Sequence, residues 1–464
     1  MGLFQGYSIG ANALRNLQVA QNTLADDIAN ANDPNHARRS VQFTEAPPSL
    51  VIDGKNVLQL ANGLGTVRVM RMHDQVLDAS FLQAQSQQGY LQNFSENLRI
   101  IETTLIQDGT SVIASSINQF FNAWSYLASN PSQFSSRLGV QAAGIKLTQT
   151  VQNSYSQLQN QLNILNQQVS QTITNINGLA SDILTLNTAI LKTKASGADA
   201  SALIDQKDRK LQDLSELMGF QTIENVPDAS WLLSGQLALV TGTTTVLSTT
   251  GYNATNQTVT DGTTNYTITA GKLLGLFQSI ASIQNMQNNL NTLANTFKTQ
   301  VNTIHMAGIN PLGGTNVQFF NDVPSGTPQT GAADFSVNST IVANPNAIAS
   351  GTSGNPGDGG SALELSTLRS QTLRTLGNYS FSDYTNNFIS SLGEQVSIQK
   401  AALNTQEAVL NQIQNQKESI SGVSLEESTM QLIRNQRSLQ AVAEFLRRID
   451  QTTNYIINGL GGQI

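Results

Sequence analysis

Apolar residues recur at steps of three and four over most of this chain, the spacing that gathers side chains on one face of a helix. The two terminal stretches with this pattern have no neighbouring sequence to bury it. At the front, over residues 9–31, Ile9, Ala13, Leu17, Ala20, Leu24 and Ile28 fall on one stripe. At the back, over 392–457, Leu392, Val396, Leu403, Leu410, Ile413 and Ile420 do so, followed by Leu432, Leu439, Ala443, Leu446 and Ile457, with Leu425 opening the last helix. A one-sided apolar stripe on a long helix requires a facing helix. The pattern therefore predicts that the two ends pair with each other and with the same helices of neighbouring subunits.

Between the ends the pattern alternates. Asn32-Asp33-Pro34-Asn35 breaks the first helix, and residues 36–76 hold short β-like pieces at Val41–Phe43, Val51–Ile52 and Val67–Val69, an extended connector with a hairpin. Helical spacing resumes from Asp78 and again over Ser111–Ser129. It then runs from Ser132 to Lys194, where Leu158, Leu162, Leu165, Val169, Ile173, Ile176, Ala180, Ile183, Leu186 and Ile190 describe a rod-like helix. Residues 221–270 turn to Thr, Val, Leu and Gly with two-residue alternation, as in Asn265-Tyr266-Thr267-Ile268-Thr269. Helix returns over Lys272–Met306, a Gly/Pro/Asn-rich strand-like stretch covers 307–360, and helices close the chain at 361–378, 382–419 and 425–459. The predicted fold is mainly α with β insertions: long terminal and middle helices in a coiled-coil-like bundle, and a nested β-rich outer domain. Residues 1–35 and 421–464 would form a terminal helical assembly domain. Residues 36–215, 272–306 and 361–420 would form a long-helix bundle, and 216–271 with 307–360 the β-rich outer part.

Composition narrows the function. Charged residues are 12% of the chain, about half the roughly 25% of ordinary soluble proteins, so identical subunits would repel each other weakly. A net charge of −7 with no basic stripe argues against nucleic acid, since Arg38–Arg39 and Arg447–Arg448 are isolated pairs on solvated faces. The absence of cysteine excludes disulfides, thiolate ligands and thiol nucleophiles. His36, His73 and His305 lie far apart in sequence, so no metal and no cofactor is expected. The N-terminus lacks the basic and apolar regions of a cleaved signal, and no apolar run is long enough to insert in a membrane, which points to a different route if the protein leaves the cell.

The polar motifs read as structural. Ser424-Leu425-Glu426-Glu427 is a capping box, with the Ser424 hydroxyl facing the Glu427 amide and the Glu427 carboxylate reaching back to the Ser424 amide. Adjacent carboxylates on a helix point about 100° apart, which removes Glu426 and Glu427 as a glycosidase pair. Asp205 and Arg209 stand four apart and are expected to pair along their helix. Trp124, beside Phe120 and Phe121, and Trp231 are expected in cores.

Several of these segments resemble bacterial flagellar axial proteins, and within them the hook-associated branch at the junction of hook and filament. Asp27-Ile28-Ala29-Asn30-Ala31-Asn32 is similar to the Asn-Ile-x-Asn signature of rod, hook and hook-associated proteins; of the usual continuation Asn35-His36-Ala37-Arg38 keeps only the arginine. Phe120 to Pro131 with Arg137, Leu203-Ile204-Asp205-Gln206-Lys207-Asp208, and Ser421-Gly422-Val423-Ser424-Leu425-Glu426-Glu427 resemble segments of the hook-associated branch itself. The resemblance covers nearly the whole chain and implies a secreted, non-enzymatic structural subunit of the extracellular flagellum, exported by the flagellar type III apparatus. It implies as partners a ring of identical subunits, the hook protein, the next hook-associated protein and a cytoplasmic export chaperone. The expected chaperone grip is Leu432, Leu439, Leu446 and Ile457. The alternatives are another axial subunit, a flagellin or hook-associated protein 3, and a type III translocator; the segment around Leu203–Arg209 disfavours the first and the lack of long apolar runs the second.

Overall fold

A computed structural model describes residues 2–461 except 54–55, 61, 108–109, 227–228, 235–236, 244, 247–250, 263, 322–330 and 356. The helices are α1 (Gly2–Ala29), α2 (Gln75–Leu105), α3 (Val112–Ser129), α4 (Phe134–Ala195), α5 (Ser201–Leu217), α6 (Gly271–Ala307), α7 (Ser339–Ala343), α8 (Gly360–Thr367), α9 (Phe381–Ser421) and α10 (Leu425–Gly461). The strands are β1 (Arg39–Glu45), β2 (Ser49–Asp53), β3 (Asn56–Leu60), β4 (Leu64–Arg71), β5 (Ile106–Gln107), β6 (Thr110–Ser111), β7 (Gln221–Val226), β8 (Ala229–Ser234), β9 (Leu237–Thr241), β10 (Thr245–Val246), β11 (Gly251–Asn253), β12 (Thr258–Thr260) and β13 (Asn265–Thr267). All pairings are antiparallel: β1 with β4, β2 with β3, β5 with β6, a sheet ordered β10-β9-β8-β7, and a sheet ordered β11-β12-β13.

The body is a helical bundle in which α2 lies against α5, α6 and α9, and α4 against α3, α5 and α6. Side-chain caps start the helices where the chain turns in: Asp74 accepts from the Val76 and Leu77 amides of α2, Ser111 from Ala114 of α3, and Ser380 from Asp383 of α9. Along α4 the buried positions Val140, Gly144, Leu147, Val151, Ser154 and Leu158 keep alternating steps of four and three, as do Leu165, Val169, Thr172 and Ile176 farther on, so one seam serves a helix of 62 residues. At the level of α3 the core is aromatic. Phe120, Phe121, Trp124, Phe297, Phe319, Phe320, Phe335 and Phe381 are all but fully buried, with ring centroids 4.5 to 6.2 Å apart. The side chain of Trp231 lies outside those described.

The three-stranded β11–β13 sheet rests on the helices through Tyr252, whose ring stacks on Phe277 and whose hydroxyl donates to Asn166 Oδ1 at 3.1 Å. The four-stranded sheet is tied to α4 by Asn187, which donates to the Gly242 carbonyl at 2.9 Å. The strand-like reading of 307–360 is corrected. Among the described residues this stretch holds only the isolated bridges Ile309–Gly351 and Phe320–Val337, helix α7 and a 3-10 turn, laid over the aromatic core. Its backbone groups are satisfied by side chains in place of neighbouring strands. Asn302 Oδ1 accepts from the Phe319 and Phe320 amides, and its Nδ2 donates to the Phe320 carbonyl. Gln141 donates to the Ile341 and Val342 carbonyls. The expected helix over 361–378 is also shorter: α8 ends at Thr367, and two 3-10 turns lead to Gly377, whose φ of +68° stops helical continuation.

Candidate assembly interface

The chain's two ends pack against each other as the helix pair α1–α10. On α10 Ser428, Leu432, Asn435, Leu439, Val442, Leu446, Ile449 and Thr453 are buried or half-buried at steps that alternate four and three, with Ser438 and Glu444 half-buried at its flanks. On α1, Gly10, Leu17, Ala20, Leu24 and Asp27 are buried, and Ile9, Ala13 and Ile28 are half-buried. The expected residues thus divide. Leu432, Leu439 and Leu446 lie in the seam, whereas Leu425, Ala443 and Ile457 sit on outer, exposed faces. Val442 and Ile449 belong to the seam and escape the sequence reading, although alternating steps of three and four from Leu432 pass through both.

Gly6 and Gly10 were also missed, and they set how closely the helices approach. A Cβ built on Gly10 would lie 2.6 Å from Leu446 Cδ2, and one on Gly6 would lie 3.0 Å from Ile449 Cδ1. Two glycines four apart open a shallow groove along α1, and the branched tips of Leu446 and Ile449 occupy it. The signal was available as Gly6-Tyr7-Ser8-Ile9-Gly10, but a glycine pair acquires meaning only once the facing side chain is known. The connector hairpin buttresses the other side of α1: Asn16 donates to the Gly65 carbonyl at 2.7 Å, and Gln5 to Asn62 at 3.2 Å.

Outside the seam α10 keeps a second apolar surface. Met430, Ile433, Tyr455, Ile456 and Ile457 are exposed, Tyr455 to 86%, and Phe445, also exposed, borders the groove at Gly6 and Gly10. Such side chains singly are ordinary, but five on one helix form a surface suited to another helix.

Where α1 and α10 join the body, charged groups converge. His36, in the link between α1 and β1, places Nε2 2.9 Å from Asp27 Oδ1 and Nδ1 3.3 Å from Asp205 Oδ2. Arg39 of β1 reaches Asp26 and Asp205, and its amide donates to Asp27 Oδ2 at 3.0 Å. Arg71 of β4 bridges Asp205 at 2.8 Å and Asp208 at 2.5 Å. Burial alone would lower the Arg71 pKa, but Asp208 and Asp205 outweigh it and hold the guanidinium above its ordinary value. The expected Asp205–Arg209 pair along α5 is corrected: Arg209 turns to Asp33 at 2.8 Å, while Asp205 serves three partners from other elements. A buried carboxylate needs several donors, which one exposed arginine on its own helix does not supply. The capping box is half formed. The Glu427 amide donates to Ser424 Oγ at 3.3 Å, but the Glu427 carboxylate faces Arg38 at 2.9 Å and Gln431 at 3.1 Å.

His305 is a core residue. Its Nδ1 donates to the Val317 carbonyl at 2.6 Å, its Nε2 accepts from the Ala349 amide at 3.0 Å, and burial lowers its pKa to about 4, against the opposing effect of the Val317 bond. The ring is therefore neutral at pH 7. Among the described residues no group of three or more His, Cys, Asp or Glu side chains is placed to hold a metal, and no helix is long and apolar enough to cross a membrane.

The class the fold defines is a long helical body whose chain ends return together as a paired-helix stem. The comparisons with known proteins make the class specific. Residues 98–320 match the family described as the flagellar hook-associated protein FlgK helical domain. The chain is 26% identical to flagellar hook-associated protein 1 of Bacillus subtilis (strain 168), over 99% of this chain and 98% of the relative. It is 24% identical to flagellar hook-associated protein 1 of Escherichia coli (strain K12), over 97% and 98% respectively. In fold it is similar to the flagellar hook junction protein FlgK from Burkholderia pseudomallei, with a TM-score of 0.64 and 17% identity, over 74% of this chain and all of that one. Over nearly its whole length the chain is thus similar to flagellar hook-associated protein 1 of these bacteria.

Proposed function

We propose that this protein is a structural subunit of the extracellular bacterial flagellum that seats the filament on the hook, and that it acts by self-assembly through its terminal helices rather than by catalysis. The observation that carries this reading is the α1–α10 pair, in which one face of α10 is used on α1 and a second apolar face remains open. Ile9, Ala13, Leu17, Ala20, Leu24 and Ile28 with Leu432, Leu439 and Leu446 hold the pair. Leu425, Ala443 and Ile457, together with Met430 and Ile433, face neighbouring copies in a ring. The hook protein below and the next hook-associated protein above are the axial partners. Residues 1–35 and 421–464 serve as the inner assembly unit, the long helices as a middle layer, and the sheets of 216–271 as an outer surface.

A cytoplasmic export chaperone is the partner of the last helix before assembly. Leu432, Leu439, Leu446 and Ile457 cannot all face it while α10 lies on α1, because the first three are in the seam; the chaperone takes the helix before that pair forms. The test is incorporation. Purified full-length protein added to cells with exposed hooks should restore filament growth, and protein truncated before Ser421 should not. Growth with the truncated protein would refute the terminal-helix mechanism. Full-length protein that is exported but never found at the hook–filament boundary would refute the junction role.

A further inference from the structure

Two chain crossings connect the α1–α10 stem, with the β1–β4 hairpin packed on α1, to the body, residues 72–74 and residues 422–424, and the link of residues 30–38 lies beside both. The Arg38 amide donates to the Ser421 carbonyl at 2.8 Å, and the Met72 amide donates to the Arg38 carbonyl at 2.9 Å. Around this double crossing the stem meets the body through charge. His36, Arg39, Arg71 and Arg209 stand against Asp26 and Asp27 of α1, Asp33 of the link, and Asp205 and Asp208 of α5. The centre of this cluster is closed to water. Side-chain exposure is 4% for His36, 1% for Asp27, 7% for Asp205 and 8% for Arg39.

His36 touches both parts, Asp27 on the stem and Asp205 on the body, as Arg39 does through Asp26 and Asp205; of the two side chains only an imidazole can give up its charge without leaving the neutral pH range. Ionised carboxylates only accept hydrogen bonds, so each ring nitrogen must carry a proton to satisfy the oxygen it faces. A neutral imidazole has one N–H and one lone pair; whichever nitrogen loses its proton then turns that lone pair toward a buried anion. The contact with either the stem or the body becomes repulsive, and four cations against five carboxylates become three against five. From α9, Lys417 and Glu418 reach the rim of the neighbouring cleft, but Lys417 is engaged by Asp78 and Glu418 by Gln414. Neither replaces the lost charge.

We propose that His36 is the clasp of a pH-sensitive latch: doubly protonated, it fixes the α1–α10 stem against the body, and on losing a proton it releases the stem to swing about the double crossing. This is a property of the single chain and stands apart from the junction role, so failure of either leaves the other intact.

The chain has no cysteine, so a label pair is introduced cleanly by Gln440→Cys on α10 and Gln412→Cys on α9, both exposed. Electron spin resonance distances between nitroxides at these sites are measured from roughly pH 5 to pH 9, a range that spans histidine titration. The fluorescence of Trp124, buried in the aromatic core, verifies that the body stays folded. The distance distribution should be narrow at the acid end and broaden and shift toward the alkaline end. With His36→Gln it should be broad and independent of pH; with His36→Arg, a permanent cation with several donors, it should stay narrow throughout. A distribution in the His36 protein that does not change with pH overturns the latch, and so does a pH response that persists in His36→Gln.

Discussion

Replacing Gly10 by leucine should open the stem. The Cβ alone would stand 2.6 Å from Leu446 Cδ2, 3.0 Å from Leu446 Cγ and 3.4 Å from Phe445 Cδ1, so the remaining side-chain carbons have no space unless α10 moves away. Overpacking of this kind costs about 1–3 kcal/mol. Leucine for glycine within a helix returns up to about 1 kcal/mol of backbone propensity, so the net loss of stem pairing should be about 1–2 kcal/mol. Amide hydrogen exchange along α10 reads this directly: protection near Leu446 and Ile449 should fall roughly 5- to 30-fold, while α4 and α6 in the body should not change. Truncating the obstructing side chain, in Gly10→Leu with Leu446→Ala, should restore most of the protection, because the two substitutions act on one contact and are not additive. Unchanged exchange in α10 on Gly10→Leu would show that the glycine groove does not hold the pair. A double variant worse than both singles would refute the complementarity of Gly10 and Leu446.

Three further outcomes follow from the body and the seam. Because burial holds His305 neutral with a pKa of about 4 against an ordinary 6.5, the unfolded chain takes up the proton first; stability is full above pH 6.5 and falls by about 3 kcal/mol as the pH drops to 4. Urea unfolding followed by Trp124 fluorescence should show that acid slope, and His305→Gln, which keeps one donor and one acceptor, should flatten it. Asn302→Leu leaves the Phe319 and Phe320 amides and the Phe320 carbonyl without their partner and should cost roughly 3 kcal/mol or more in the same assay; a loss under about 1 kcal/mol would mean that water replaces the amide there. Leu439→Glu places a carboxylate in the seam and should weaken stem protection without changing the core fluorescence; if the proposed export chaperone holds the last helix, its capture, read by co-purification, should weaken too.

The elements themselves were legible along the chain, because helix and strand periods are local. The stripe from Leu432 to Leu446 marks the seam on α10, and the steps through Leu158, Val169 and Ile183 announce the long α4. What the sequence alone left open, or led to read wrongly, depended on partners far along the chain. The stretch 307–360 looks like strands because Gly, Pro and Asn punctuate its apolar residues. It is instead an irregular layer because Asn302, His305 and Gln141, on helices elsewhere, answer its backbone groups.

The same contrast decides the candidate sites. Asp205 and Arg209 have helix-pair spacing, yet a buried carboxylate gains more from Arg71, Arg39 and His36 than from one exposed neighbour, and those three lie more than a hundred residues away. Gly6 and Gly10 are only helix-weakening residues until Ile449 and Leu446 cross them. By itself the sequence determined the helices, their apolar faces, the absence of thiol chemistry and the resemblance to flagellar axial proteins. The tertiary structure decided which face of α10 the chain uses for itself, which it leaves exposed, and which charges join the stem to the body, because close approach and desolvation exist only after distant segments have met.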